Sequence, residues 1–160
     1  MRGCLLIGAL MTFALPETER CAFCDNVAGR STRGGLKCAP VLNRDLTLTF
    51  VAPRPAYQSA LLVIPKRHAP TLFDLTEAEA KAIWDDVRSV ARALMLALQP
   101  DGLNIFQNNG RVAGQSVPHY HVHVVPRFLV DEKIPREIPP LIPMRTRVAI
   151  ATRIQSRLKR

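Results

Sequence analysis

Residues 114–125 read Gly114-Gln115-Ser116-Val117-Pro118-His119-Tyr120-His121-Val122-His123-Val124-Val125. From Tyr120 to Val125 the pattern is that of a strand, where successive side chains face opposite ways. His119, His121 and His123 then share one face, while Tyr120, Val122 and Val124 turn to the core on the other. Three imidazoles in a row are poor packing material. The alternatives are histidines placed there without function, or a plain His-x-His-x-His metal site, since imidazole is the commonest metal ligand.

Working outward, Asn104 to Gln107 reads as a neighbouring strand and residues 108–115 as a loop rich in Gly and Asn. Residues 46–51 (Leu-Thr-Leu-Thr-Phe-Val) alternate apolar and polar until Val51, as a half-buried strand does, before Pro53 and Pro55 break the run. Residues 60–64 are an apolar run ended by Pro65, which suits a central strand. Thr76 followed by Glu79 is a capping box at a helix start. Ile83, Trp84, Val87, Val90, Ala91, Leu94 and Leu98 then recur at helical spacing as one apolar face, and Pro100 with Asp101-Gly102 closes the helix. Strands around one long helix predict an α+β domain on an antiparallel sheet. There is no internal repeat and no second domain.

The 160 residues are the size of one domain, and 48% hydrophobic with 22% charged is an ordinary folded composition that excludes disorder or a collagen-like fibre. The excess of 22 basic over 13 acidic residues, +9, favours anionic partners. Much of it is Arg145, Arg147, Arg153, Arg157, Lys159 and Arg160, which read as a solvated tail; residues 144–159 also fit a basic amphipathic helix. Pro135, Pro139, Pro140 and Pro143 make an irregular strap before it. No aromatic platform or groove-reading motif accompanies the tail, so nucleic acid is not an expected partner. Arg2 and the apolar run after it resemble a signal peptide, but the run is too short to span a membrane and lacks a good cleavage site. Residues 1–16 are therefore read as an extension, 17–130 as the domain, 131–160 as strap and tail, and the protein as cytoplasmic.

The quoted segment resembles the His-φ-His-φ-His-φ-φ signature of the histidine triad (HIT) family, φ being apolar. The likeness extends to Asn108-Asn109-Gly110, Gly114-Gln115-Ser116, Val63-Ile64-Pro65-Lys66-Arg67-His68 and Cys21-x-Phe23-Cys24, in order across roughly residues 17–130. It implies an antiparallel sheet of about five strands with one long and one short helix, and a homodimer whose sheet is continuous. It also implies nucleotidyl hydrolase or transferase chemistry through a covalent nucleotidyl-histidine. By position, His121 is the nucleophile and His123 a phosphate ligand, with Ser116 near the leaving group and Asn108, Gly114 and Gln115 near phosphate. Chemistry agrees, since a neutral imidazole attacks phosphorus without a strong base and a protonated neighbour offsets charge on the oxygens. The loop residues also read simply as turn formers.

Cys21-x-x-Cys24 is half of a tetrahedral zinc site. The resemblance supplies His68 and His119 as the other ligands and makes the zinc structural. A redox pair and two plain reduced cysteines are the alternatives.

Two positions depart from the family pattern. Ala52 stands where an acidic residue holds the ribose hydroxyls, and Ser59-Ala60 replaces a Gly-His pair. The phosphate end of the site is retained and the nucleoside end altered. Three functions follow: an enzyme acting at the α-phosphate of nucleoside phosphoramidates, adenylylated amines or dinucleoside polyphosphates; a non-catalytic nucleotide- or zinc-dependent binding protein; and a nucleic-acid-associated protein using the tail.

Overall fold

A computed structural model of the chain describes residues 14–17, 19–32, 37–54, 59–130 and 140–158. Most of the N-terminal extension and residues 131–139 of the strap lie outside them. The elements are α1 (Ala22–Val27), β1 (Pro40–Asn43), β2 (Thr47–Val51), β3 (Leu61–Pro65), α2 (Glu77–Leu98), β4 (Gly102–Gln107), β5 (Val122–Arg127) and α3 (Met144–Leu158). The five strands form one antiparallel sheet in the order β1-β2-β3-β5-β4. This is the expected fold, with α3 as an additional helix. No helix of the described residues is long and apolar enough to cross a membrane.

Strand alternation divides the buried side chains between two faces. Val51, Leu61, Val63, Val122 and Val124 meet Ile83, Val87, Val90 and Leu94 of α2 and Ala151 and Ile154 of α3. On the other face Leu48, Phe50, Leu62, Ile64 and Val125 pack with Phe23 of α1. The helix α2 starts as its sequence dictates: the Thr76 hydroxyl accepts from Glu79 N–H at 3.2 Å, and the Glu79 carboxylate accepts from Thr76 N–H at 2.9 Å. It ends at Gln99, whose left-handed backbone (φ 52°) turns the chain before Pro100. Arg67 holds Glu79 from outside the helix, Nε to Oε1 at 2.9 Å and Nη2 to Oε2 at 2.7 Å. That fork keeps the Glu79 carboxyl down at about 2. Asp86, buried in α2, accepts from the Thr47 hydroxyl of β2 and pairs with Arg44 at 2.9 Å, tying helix to sheet.

Two sequence expectations change. Trp84 is 51% exposed, because it lies off the buried stripe of α2. It belongs instead to an exposed apolar patch with Met95, Leu96, Leu103 and Ile105. Nor is the tail only a solvated one: α3 places Ala151 and Ile154 in the main core. Arg147 is also buried, donating from Nε to Ile142 C=O at 3.1 Å and from Nη1 to Lys37 C=O at 2.6 Å.

Candidate active site and metal centre

The histidines face away from α2 because Tyr120 cannot. Its fully buried ring belongs to the helix-side core, and its N–H donates to Ala69 C=O at 2.6 Å. Side-chain alternation then sends His119, His121 and His123 to the opposite face, although regular β5 begins only at Val122. His121 is buried, and its Nδ1 lies 2.7 Å from the carbonyl oxygen of His119. A carbonyl only accepts, so Nδ1 carries the proton and Nε2 keeps its lone pair. Burial pushes the His121 pKa below the ordinary histidine value. Burial first, then the neighbouring His121, pushes His123 down to about 4. Burial thus favours the neutral form of both rings in the free protein, and an anion bound beside them favours the charged one.

Aromatic rings surround the pair. Phe23 meets His121 nearly at right angles, 84° with centroids 5.1 Å apart, and is backed by Phe50 at 5.5 Å. His121 and His123 are 4.9 Å apart, and His123 stacks on Phe106 at 4.4 Å and 9°. No local sequence pattern links Phe106 to His123. The signal for that link was pairing between β4 and β5, which sets Phe106 opposite His123.

Cys21, Cys24, His68 and His119 converge, their four ligand atoms all within 4.8 Å of one another. His119 Nδ1 lies 3.4 Å from Cys21 Sγ and 3.6 Å from Cys24 Sγ, and His68 Nδ1 lies 3.3 Å from Cys24 Sγ. Tetrahedral zinc, bound at about 2.3 Å to sulfur and about 2.0 Å to nitrogen, separates those atoms by about 3.6 Å. The donor set fits the metal. His119 donates from Nε2 to Pro65 C=O at 2.9 Å, the second-atom contact that orients a ligating imidazole.

The loop before the histidines is held by its own amides. Gln115 accepts from Gly110 N–H at 2.7 Å and donates to Pro70 C=O at 2.7 Å and Val117 C=O at 3.0 Å. Both its amide hydrogens are thereby engaged, so this residue, expected to touch phosphate, here shapes the loop. Asn109, not singled out from sequence, accepts from Leu72 N–H at 2.9 Å. Gly114 has a positive φ of 90°, and a Cβ there would come within 3.4 Å of Asn108 Nδ2. Ser116 is exposed. Ala52 and Ala60 are buried beside Phe23 and Phe50, joined by Ala52 N–H to Ala60 C=O at 2.9 Å. The buried carboxylates among the described residues, Asp25, Glu79 and Asp86, are each paired with arginine, so none replaces the missing acid.

Comparison with known proteins agrees with this arrangement. Residues 34–130 match the model of the HIT domain. "Protein hit" of Bacillus subtilis is 37% identical over 69% of this chain and 72% of that protein. "Adenosine 5'-monophosphoramidase hnt1" of Schizosaccharomyces pombe is 34% identical over 67% of this chain and 74% of its own length. A zinc-bound histidine triad family protein from Mycobacterium smegmatis superimposes with a TM-score of 0.70 at 29% identity, covering 87% of this chain and 93% of that one.

Proposed function

The chain belongs to the HIT domain family, whose relatives include named hydrolases, and from that premise we propose that it is a nucleotidyl hydrolase or transferase. It acts at the α-phosphate of nucleoside phosphoramidates, adenylylated amines or dinucleoside polyphosphates through a covalent nucleotidyl-His121 intermediate. The observation that carries this reading is the hydrogen bond from His121 Nδ1–H to His119 C=O, which leaves a neutral, lone-pair-bearing Nε2 on a buried ring.

His121 Nε2 forms a bond to phosphorus as the bond from phosphorus to the leaving nitrogen or oxygen breaks, and the leaving group departs with a proton. Water, which gives up a proton to solvent, or an accepting phosphate then attacks the phosphorus as its bond to Nε2 breaks. His123 gains a proton as the phosphate binds, because an anion beside it restores the charged form, and then neutralises the non-bridging oxygens. Ser116 donates to the leaving atom, and Asn108 and the backbone of Gly114 line the phosphate, with Gln115 holding their loop in shape. Cys21, Cys24, His68 and His119 would hold a structural zinc, which would supply a fixed cross-link between α1 and the approach to β5. The protein forms a homodimer: β4 is an unpaired sheet edge, and the patch of Trp84, Met95, Leu96, Leu103 and Ile105 borders it. Light scattering is expected to report twice the chain mass; a monomer at high concentration would remove the shared-sheet arrangement.

The test is cleavage of adenosine and guanosine phosphoramidates, a dinucleoside polyphosphate and a non-nucleoside phosphoramidate by wild type and His121→Ala. Loss of the nucleophile is expected to cost on the order of 10⁴-fold or more in turnover, with unchanged folding. Activity within a few-fold of wild type in His121→Ala would sink the assignment. Ala52 and Ala60 favour a second reading, a nucleotide-binding protein without turnover. It gains if the folded wild type cleaves no member of the panel.

A further inference from the structure

We propose that Phe23 and Phe106 are positioning residues that bracket the His121–His123 pair, one from the metal-binding loop and the other from the edge strand. The proposal rests on the reading of His121 as nucleophile. Five rings cross the histidine face in a row: Phe50, Phe23, His121, His123 and Phe106, each in contact with the next. The hydrogen bond at Nδ1 fixes one atom of the His121 ring, yet the ring can still tilt about that atom. Phe23 removes this freedom by meeting His121 at 84°, a geometry that suits the opposed charge of ring edge and ring face.

Each bracket is anchored independently. Phe23 lies between Cys21 and Cys24 in the chain, so the cluster that fits a metal also fixes the backbone on either side of it. It packs against His119 as well, at 5.8 Å. Phe106 is cross-strand partner to His123 in the β4–β5 ladder, and its ring lies almost parallel to the imidazole. It is 42% exposed, too open for a core residue, while the neighbouring Ile105 turns to the patch beside α2. A half-exposed aromatic lying flat on an imidazole keeps that imidazole upright beside its neighbour.

In-line attack requires the Nε2 lone pair to aim at phosphorus, and small misplacements of a reacting atom are costly. Phe106→Leu and Phe23→Leu keep apolar volume and lose the flat ring. Each is expected to lower kcat roughly tenfold to a hundredfold, with KM within about twofold of wild type. Phe106→Tyr is expected to restore kcat. In ¹⁵N-histidine spectra, the His121 Nδ1–H proton is expected to exchange with solvent faster in both leucine variants, with metal content and circular dichroism unchanged. A kcat that stays at the wild-type value, or a rise in KM alone, would overturn the bracket; the latter would make Phe106 a substrate contact. His121→Ala is run in the same assay. If it retains turnover, or if wild type shows none, the nucleophile reading has failed, and the exchange rate then decides the bracket alone: unchanged exchange in both variants overturns it.

Discussion

On the helix side of the sheet, the contacts between Val51, Leu61, Val63, Val122 and Val124 and α2 and α3 are apolar and interchangeable in kind. On the histidine side, Leu48, Phe50, Leu62 and Ile64 give way to His119, His121 and His123, and order comes from directed contacts: His121 to a carbonyl, His119 to Pro65, four metal-type donors within 4.8 Å. The first face is stabilised by area removed from water, which tolerates shape changes at graded cost. The second is held by a few bonds, each of which fixes one atom. Bulk burial and directed contacts are thus separated across the thickness of one sheet.

The largest effect that would test this separation is on the helix side. Ile154→Ala, at a fully buried position of α3, is expected to cost about 2–5 kcal/mol in denaturant unfolding. A loss under about 1 kcal/mol would return α3 to a solvated tail. On the histidine side, Cys24→Ser is expected to remove about one zinc per chain and to speed amide exchange in residues 21–27 and 66–69. Exchange in α2 should hold; a uniform rise across both faces would erase the distinction. The smallest effect concerns Glu79, at the start of α2. Its folded carboxyl sits near 2 against an ordinary 4.5, chiefly through the Arg67 fork. A depressed carboxylate contributes stability above its unfolded pKa and loses it as pH falls from about 4.5 towards 2. With Arg67 half-exposed and screened, the loss is about 1–2 kcal/mol. Glu79→Gln should flatten that acid limb, and an unchanged limb would show the fork to be inert.

Elements with a strong period were legible. The alternation of 46–51, the apolar run of 60–64 and the Thr76–Glu79 capping box gave β2, β3 and the start of α2 within a residue or two. Weak periods hid the bounds of β1 and α1. Strand β1 is four residues starting with a proline, and α1 is six residues whose N-cap, Cys21, makes no side-chain capping bond. Trp84 was counted in the apolar face of α2 because helical spacing gives a broad stripe but not which edge of it faces outward. At the site, the shared face of the histidines was readable from alternation alone. The use of Gln115 within its own loop was not, because an amide in a Gly-Gln-Ser turn suits a phosphate or a carbonyl equally well. The Phe106–His123 stack needed the strand register, a contact between segments that no local pattern encodes.

Arg147 connects matters of time as well as space. Its guanidinium is buried and bonded to the carbonyl of Lys37, 110 residues earlier in the chain. On the ribosome, residues leading into β1 are made long before the group that secures them, and non-local closures of this kind come late and slowly. Until α3 has emerged, the nascent sheet exposes the apolar surface that Ala151 and Ile154 later cover. Docking of α3 is therefore the step that closes this face of the sheet.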